Sequence, residues 1–271
     1  MYKDYFHLKH EPFNLTPDPR YLFLTARHRE ALDHLIYGIT QRKGFICLTG
    51  EVGAGKTTLC RALLRQLGSD YHTALILNPT LSPGQLLRAI VEEFGLPGRG
   101  SDRLSCLRRL NEFLLAVHAQ GHEVVLIIDE AQDLSTAGLE TVRLLSNLET
   151  EQQKLIQIVL VGQEELREVL ARPALRQLAQ RITVRFHLST MDAHETEQYL
   201  HHRLRIAGGG QDAPVRFDRS AVREIYRYSR GTPRLVNVVG DRALLAGFVH
   251  QTGSIDRRLV RLAVGELKEA G

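Results

Sequence analysis

The stretch that most restricts how this chain can fold is Gly50-Glu51-Val52-Gly53-Ala54-Gly55-Lys56-Thr57-Thr58. An apolar run, Phe45-Ile46-Cys47-Leu48, precedes it, and Leu59, Leu63, Leu64 and Leu67 follow at helical spacing. Strand, glycine loop and helix in that order form the setting of a phosphate-binding loop. The glycines allow successive backbone N–H groups to turn inward around an anion, and the positive end of the following helix points at the same place. All of Gly50, Glu51, Val52, Gly53, Ala54, Gly55, Lys56, Thr57 and Thr58 are therefore read as nucleotide-binding. Lys56 is placed to reach the β- and γ-phosphates, Thr57 to offer its hydroxyl to Mg²⁺, and Thr58 to settle the helix start.

A second landmark is Val124-Val125-Leu126-Ile127-Ile128-Asp129-Glu130. A continuous β-branched run predicts a parallel strand buried on both faces, with two carboxylates where it ends, and open α/β sheets bind ligands at that edge. Asp129 is read as a Mg²⁺ ligand and Glu130 as the group that polarises an attacking water. Leu155–Val161 predicts another buried strand ending at Gly162-Gln163. Gln163 there either senses the γ-phosphate and orients water or is a turn glutamine.

Strands near residues 45, 73, 124, 155 and 182 make a five-stranded parallel sheet flanked by helices. Helices are predicted over Ala26–Thr40, Ser82–Phe94, Leu104–Gln120, Leu139–Leu148 and Leu175–Arg181. The alternation in Ile182–Leu188 predicts an edge strand or one with a wet face. Beyond it the pattern is helical over Ala193–Ala207, Ser220–Tyr228, Leu235–Val249 and Ile255–Leu267. The expected organisation is an N-terminal extended arm (1–25), an α/β phosphate-loop core (26–190) and a small α-helical lid (191–271). Gly231-Thr232-Pro233-Arg234 opens a lid helix, so Arg234 either swings toward the nucleotide or is structural.

The chain has 271 residues, 43% of them hydrophobic, an ordinary globular composition. Net charge is +4, which permits an acidic partner without requiring one. Cys47, Cys60 and Cys106 lack zinc spacing, and Cys47 and Cys60 read as reduced core thiols. The histidines show no metal pattern, and His201-His202 reads as solvent-facing. With no apolar signal core and no long apolar run, a soluble cytosolic chain is expected.

With these residues in place, the chain resembles the AAA+ ATPases over essentially its full length. More specifically it resembles the general secretion pathway protein A family. That likeness rests on Glu11-Pro12-Phe13, Pro17-Asp18-Pro19-Arg20, the phosphate loop, Leu145-Ser146-Asn147-Leu148-Glu149-Thr150 and Leu178-Ala179-Gln180-Arg181-Ile182. The resemblance implies Mg²⁺-dependent ATP hydrolysis with ATP and ADP as ligands, and self-association into a ring or filament. It also implies Arg181 as the finger supplied to a neighbour, with Arg176 as second candidate. Assembly of a secretin for type II secretion or a type IV pilus is the implied task, with secretion or pilus components as partners. Family members continue into a membrane segment, so the expected location is the cytoplasm, at the inner face of the bacterial inner membrane through partners or a further C-terminal region. A competing reading is a DNA-binding AAA+ protein that helps transposition or loads factors. Arg219, Arg223 and Arg227 recur at four-residue spacing, and residues 216–261 hold ten Arg against four acids.

Overall fold

The computed structural model describes residues 1–16, 18–77, 79–97, 102–150, 153–210 and 214–269. Pro17, the Asn78 of the predicted strand closure, residues 98–101 of the predicted loop and Gly271 lie outside them.

In chain order the elements are α1 (Tyr2–Tyr5), α2 (Ala26–Thr40), β1 (Phe45–Gly50), α3 (Lys56–Leu67), β2 (Tyr71–Ile76), α4 (Pro83–Glu93) and α5 (Arg103–Ala119). Then come β3 (Glu123–Ile128), α6 (Thr136–Leu145), β4 (Gln157–Gly162), α7 (Glu165–Leu170), α8 (Arg176–Arg181) and β5 (Ile182–Leu188). The remainder is α9 (Ala193–Ala207), β6 (Arg216–Phe217), α10 (Arg219–Ser229), α11 (Pro233–Val249), β7 (Ser254–Ile255) and α12 (Arg257–Glu269). Local chemistry sets several boundaries. Ser82 caps α4 in a reciprocal capping box with Gln85 and with proline at the first turn, and Asp192 caps α9 in the same way with Glu195. Helix α6 starts earlier than its apolar spacing suggests because Ser135 caps it, accepting from Gly138 N–H. The segment Glu165–Leu170 is a helix that the apolar spacing alone did not indicate.

The chain divides into two compact units. The sheet unit comprises Arg27–Gly50 and Lys56–Leu188. Its five strands are all parallel, in the order β2-β3-β4-β1-β5. Strands β1, β3 and β4 are buried almost end to end, which matches their unbroken apolar runs. Strand β5 lies at one end of the order, beside β1, and alternates buried with exposed positions, the pattern of a strand with one wet face. The core on one face gathers Leu86, Ile90, Leu110, Leu114, Leu139 and Val142 from the helices against Leu126, Ile128, Ile158 and Leu160.

The helical unit comprises Met1–Ala26, Glu51–Gly55 and Ser189–Gly271, and carries a short parallel pair, β6 with β7, that the helical pattern concealed. The N-terminal segment, read as an extended arm, forms α1 and sends Phe6, Leu8, Phe13 and Tyr21 into this unit's core. Phe13 fits because position 240 is glycine: a Cβ there would stand 3.0 Å from the ring. Arg203, also buried, lies 4.6 Å over the Tyr21 ring and donates to the carbonyls of Pro12 and Asn14. His201 is exposed, but its neighbour His202 is half-buried with its ring 5.3 Å from that of Phe23. Burial accordingly lowers the His202 pKa.

Candidate active site

Three adjacent strands, β3, β4 and β1, deliver their carboxyl ends side by side, because Ile128 pairs with Leu160 and Thr49 with Gly162. The chain continues from those ends into Asp129-Glu130, Gln163 and the glycine loop. Residues scattered over more than a hundred positions of sequence thus meet at one edge of the sheet unit.

Within that unit Lys56 is buried, and its Nζ donates to Gly50 O at 2.9 Å. Thr57 Oγ1 donates to Asp129 Oδ2 at 2.5 Å, and Glu130 N–H donates to Asp129 Oδ1 at 3.0 Å. Asp129 is 2% exposed. Burial raises its pKa, partly offset by the Thr57 and Glu130 donors. A hydroxyl and a carboxylate in contact beside a buried ammonium form a hard oxygen set of the kind Mg²⁺ takes.

The loop has the backbone that an anion requires. Gly53 and Gly55 lie at φ +75 and +98, in the region that only glycine adopts freely. Gly50 is needed for space, since a Cβ there would stand 2.5 Å from Leu188 O. Within the helical unit, a Cβ on Gly53 would meet Arg234 Cβ at 2.7 Å and Thr232 Cγ2 at 3.3 Å. Arg234 therefore packs its stem against the loop tip and is an exposed residue.

Glu130 adopts φ +50, a left-handed conformation rare for a side-chain-bearing residue. Its Oε2 accepts from Gln163 Nε2 at 3.2 Å and from Gln132 Nε2 at 2.8 Å. Gln132 Oε1 in turn accepts from Gln163 N–H at 3.0 Å. Gly162 makes room for this amide, as a Cβ there would stand 2.6 Å from Gln132 Oε1. Gln132 carries no motif of its own in the sequence; it stands two residues after Glu130, in the middle of a 3₁₀ turn (Ala131–Asp133).

Arg181 is tied within its own chain. Its Nη1 donates to Ser146 Oγ at 2.7 Å, Asn147 Oδ1 at 2.6 Å and Arg143 O at 3.4 Å, so the guanidinium closes the C-terminal end of α6. Arg176 is exposed, with no ion pair among the described residues. The remaining loop residues Glu51 and Val52 are exposed, Ala54 is buried, and Thr58 lies in the first turn of α3. No group of three or more His, Cys, Asp or Glu side chains among the described residues is arranged to hold a metal. No helix among them is long and apolar enough to cross a membrane.

Comparison with known proteins agrees with this geometry. Residues 39–170 match the family model described as an AAA domain. The chain is 46% identical over 268 residues to general secretion pathway protein A of Aeromonas hydrophila, covering 98% of this chain and 48% of that protein. It is 25% identical over 244 residues to the Holliday junction branch migration complex subunit RuvB of Rubrobacter xylanophilus, covering 87% of this chain and 56% of that one. The chain thus spans about half the length of the curated relatives it matches. Among solved structures, the ORC2 protein of Aeropyrum pernix superposes with a TM-score of 0.69 at 20% identity, over 95% of this chain and 71% of that one. Cdc6p of Pyrobaculum aerophilum superposes with a TM-score of 0.71 at 20% identity, over 94% and 70% of the two chains. At that identity the likeness speaks for the fold: a phosphate-loop AAA+ sheet with a helical unit after it.

Proposed function

We propose that this chain, whose residues 39–170 match the AAA domain family model, binds ATP with Mg²⁺ and hydrolyses it to drive a conformational change in assembly of a secretion or pilus machine. The observation that carries the chemistry is the contact between Thr57 Oγ1 and Asp129 Oδ2, with Lys56 Nζ on Gly50 O. Lys56 would leave Gly50 O for the β- and γ-phosphates, and the loop N–H groups from Gly50 to Thr58 would hold the remaining phosphate oxygens. Thr57 and Asp129 would hold Mg²⁺, which, when bound, neutralises phosphate charge.

Glu130 then has the role of orienting and polarising the attacking water. Gln163, bonded to the same carboxylate oxygen, is placed to report the state of the γ-phosphate. Arg234, against the loop at Gly53, is the group through which nucleotide would act on the helical unit. No covalent intermediate is required: water attacks the γ-phosphorus, ADP leaves, and Glu130 accepts the proton.

Self-association into a ring or filament, with an arginine from a neighbour at the nucleotide, is the expected active form. Arg181 would have to release its bonds to Ser146 and Asn147 to serve as that finger, whereas Arg176 need break no ion pair. Homology to general secretion pathway protein A supports the secretion assignment, with assembly components as partners and action at the inner face of the inner membrane. Residues 26–190 would carry the nucleotide chemistry and 191–271 the lid, with the 1–25 segment packed into the helical unit's core.

The test is ATP turnover across protein concentration for the chain and for Glu130→Gln, Arg181→Ala and Arg176→Ala. Specific activity is expected to rise with concentration and to be lost in Glu130→Gln with nucleotide binding retained. Turnover that survives Glu130→Gln would refute it.

A further inference from the structure

The helical unit carries an arginine face that the nucleotide chemistry does not use. Glu224, on α10, is 8% exposed and accepts from three guanidinium groups: Arg227 on its own helix, Arg257 Nε at 3.0 Å and Arg261 Nε at 3.3 Å from α12. One carboxylate therefore fixes three cations from two helices. Each guanidinium has five N–H donors, so most remain available on the exposed side.

Around this centre stand more arginines. Arg219 and Arg223 share the α10 face with Arg227, at steps of about 6 Å along the helix. Arg258 is exposed, and neither it nor Arg219 makes an ion pair among the described residues. A cavity of about 650 Å³ opens beside them, lined by Ser220, Arg257, Arg258 and Arg261. Asp218 and Asp256 also line it, but both carboxylates are engaged in capping: Asp218 accepts from Ala221 N–H at 2.7 Å and Ser220 Oγ at 2.8 Å, Asp256 from Leu259 N–H at 2.9 Å. Six arginines against three acids leave a marked positive surplus on one surface.

We propose that this face, formed by α10 and α12, is a binding site for the phosphodiester backbone of duplex nucleic acid, read without regard to sequence. The row of arginines suits a linear polyanion, and the planar fork of each guanidinium matches a phosphate. The two aromatic side chains on these helices, Tyr226 and Tyr228, are both half-buried, which disfavours the open stacking platform that single strands use. A membrane surface would call for apolar side chains to insert beside the cations, and Leu262, 44% exposed, is the one large exposed apolar side chain on these two helices. The organised guanidiniums held by Glu224 reduce the ordering that binding must impose.

The test is fluorescence anisotropy of a labelled mixed-sequence duplex against the chain over a salt series. A variant carrying Arg219→Gln and Arg258→Gln is measured beside it, with flotation on phosphatidylglycerol vesicles as a second arm. Both positions are exposed, unpaired and outside the nucleotide machinery, so basal ATP turnover and thermal melting of the variant should be unchanged. Binding is expected to weaken linearly on a log–log salt plot, with the slope smaller by about 2 in the variant, roughly 0.9 for each phosphate that is no longer neutralised. No duplex binding at low salt, the same slope in the variant, or capture by vesicles without duplex binding would each overturn the proposal.

Discussion

Gln132 is bonded to Glu130 at 2.8 Å through its amide nitrogen while its amide oxygen accepts the backbone N–H of Gln163, so one side chain ties the end of β3 to the end of β4. The carboxylate meant to polarise water is thereby held by two amides on one oxygen. Gln132→Ala should leave nucleotide affinity near normal and lower kcat by roughly fivefold, the worth of one hydrogen bond of about 1 kcal/mol. Gln132→Glu should do worse, placing a second carboxylate against Glu130. Equal losses in binding and turnover would instead mark Gln132 as a folding residue.

Arg181 and Arg176 should separate in a melting experiment. Arg181→Ala removes three bonds from the end of α6 and is expected to destabilise the chain by about 1–2 kcal/mol, visible as a lower Tm at any protein concentration. Arg176→Ala should melt like the parent, since exposed unpaired arginines contribute little. If Arg176→Ala alone abolishes the concentration-dependent part of turnover, the finger role belongs to it.

Asp129 predicts a specific pH behaviour. Its folded pKa is raised above the unfolded value by burial, so in metal-free protein its charge opposes folding. The cost is absent in acid, where the group is protonated in both states, and appears as pH rises through the folded pKa. Asp129→Asn should therefore raise the Tm of metal-free protein at neutral pH while abolishing any stabilisation by Mg²⁺. Affinity for Mg²⁺ should fall on acidification at a pH above the usual aspartate range of about 3.9, because metal and proton compete for the same oxygen. Thr57→Val removes a donor to Asp129 Oδ2 and a proposed Mg²⁺ ligand together, so it should raise the Asp129 pKa further and weaken Mg²⁺ at every pH.

Glu224 has the opposite sign. Burial pushes its pKa up, but bonds from Arg257, Arg227 and Arg261 outweigh this and hold it below the ordinary glutamate value. Its contribution to stability is full above about pH 4.3 and lost as pH falls through the lower folded value. Glu224→Gln should cost roughly 1–3 kcal/mol near neutral pH, at the lower end because its arginine partners are half-exposed. The difference from the parent should shrink in acid denaturation curves.

Buried thiols provide a check on packing. Burial raises Cys47 to about 11 and moves Cys60 further in the same direction. Thiolate is the reactive form, so Cys47 and Cys60 should resist a disulfide reagent at pH 8 until denaturant is added. Rapid labelling of the native chain would contradict the packing of β1 and α3.

Much of this protein was decided locally and is legible in its residues. The phosphate loop depends on glycine conformations and a following helix start, both set within nine consecutive residues. The buried strands announce themselves because a strand covered on both faces must be apolar throughout, and β3 ending in Asp129-Glu130 follows from the same rule. What only the tertiary structure decided is which side chain meets which. The order β2-β3-β4-β1-β5 puts the ends of β3, β4 and β1 together, and no local periodicity encodes that neighbourhood. Gln132 gained the N–H of Gln163, just past the end of β4, and Arg181 was claimed by the end of α6, through hydrogen bonds between residues more than thirty positions apart in sequence. Glu224 drew arginines from α12 onto α10 in the same way. Hydrogen bonds of this kind are short-ranged and directional, so they exist only once hydrophobic burial has brought distant segments into register.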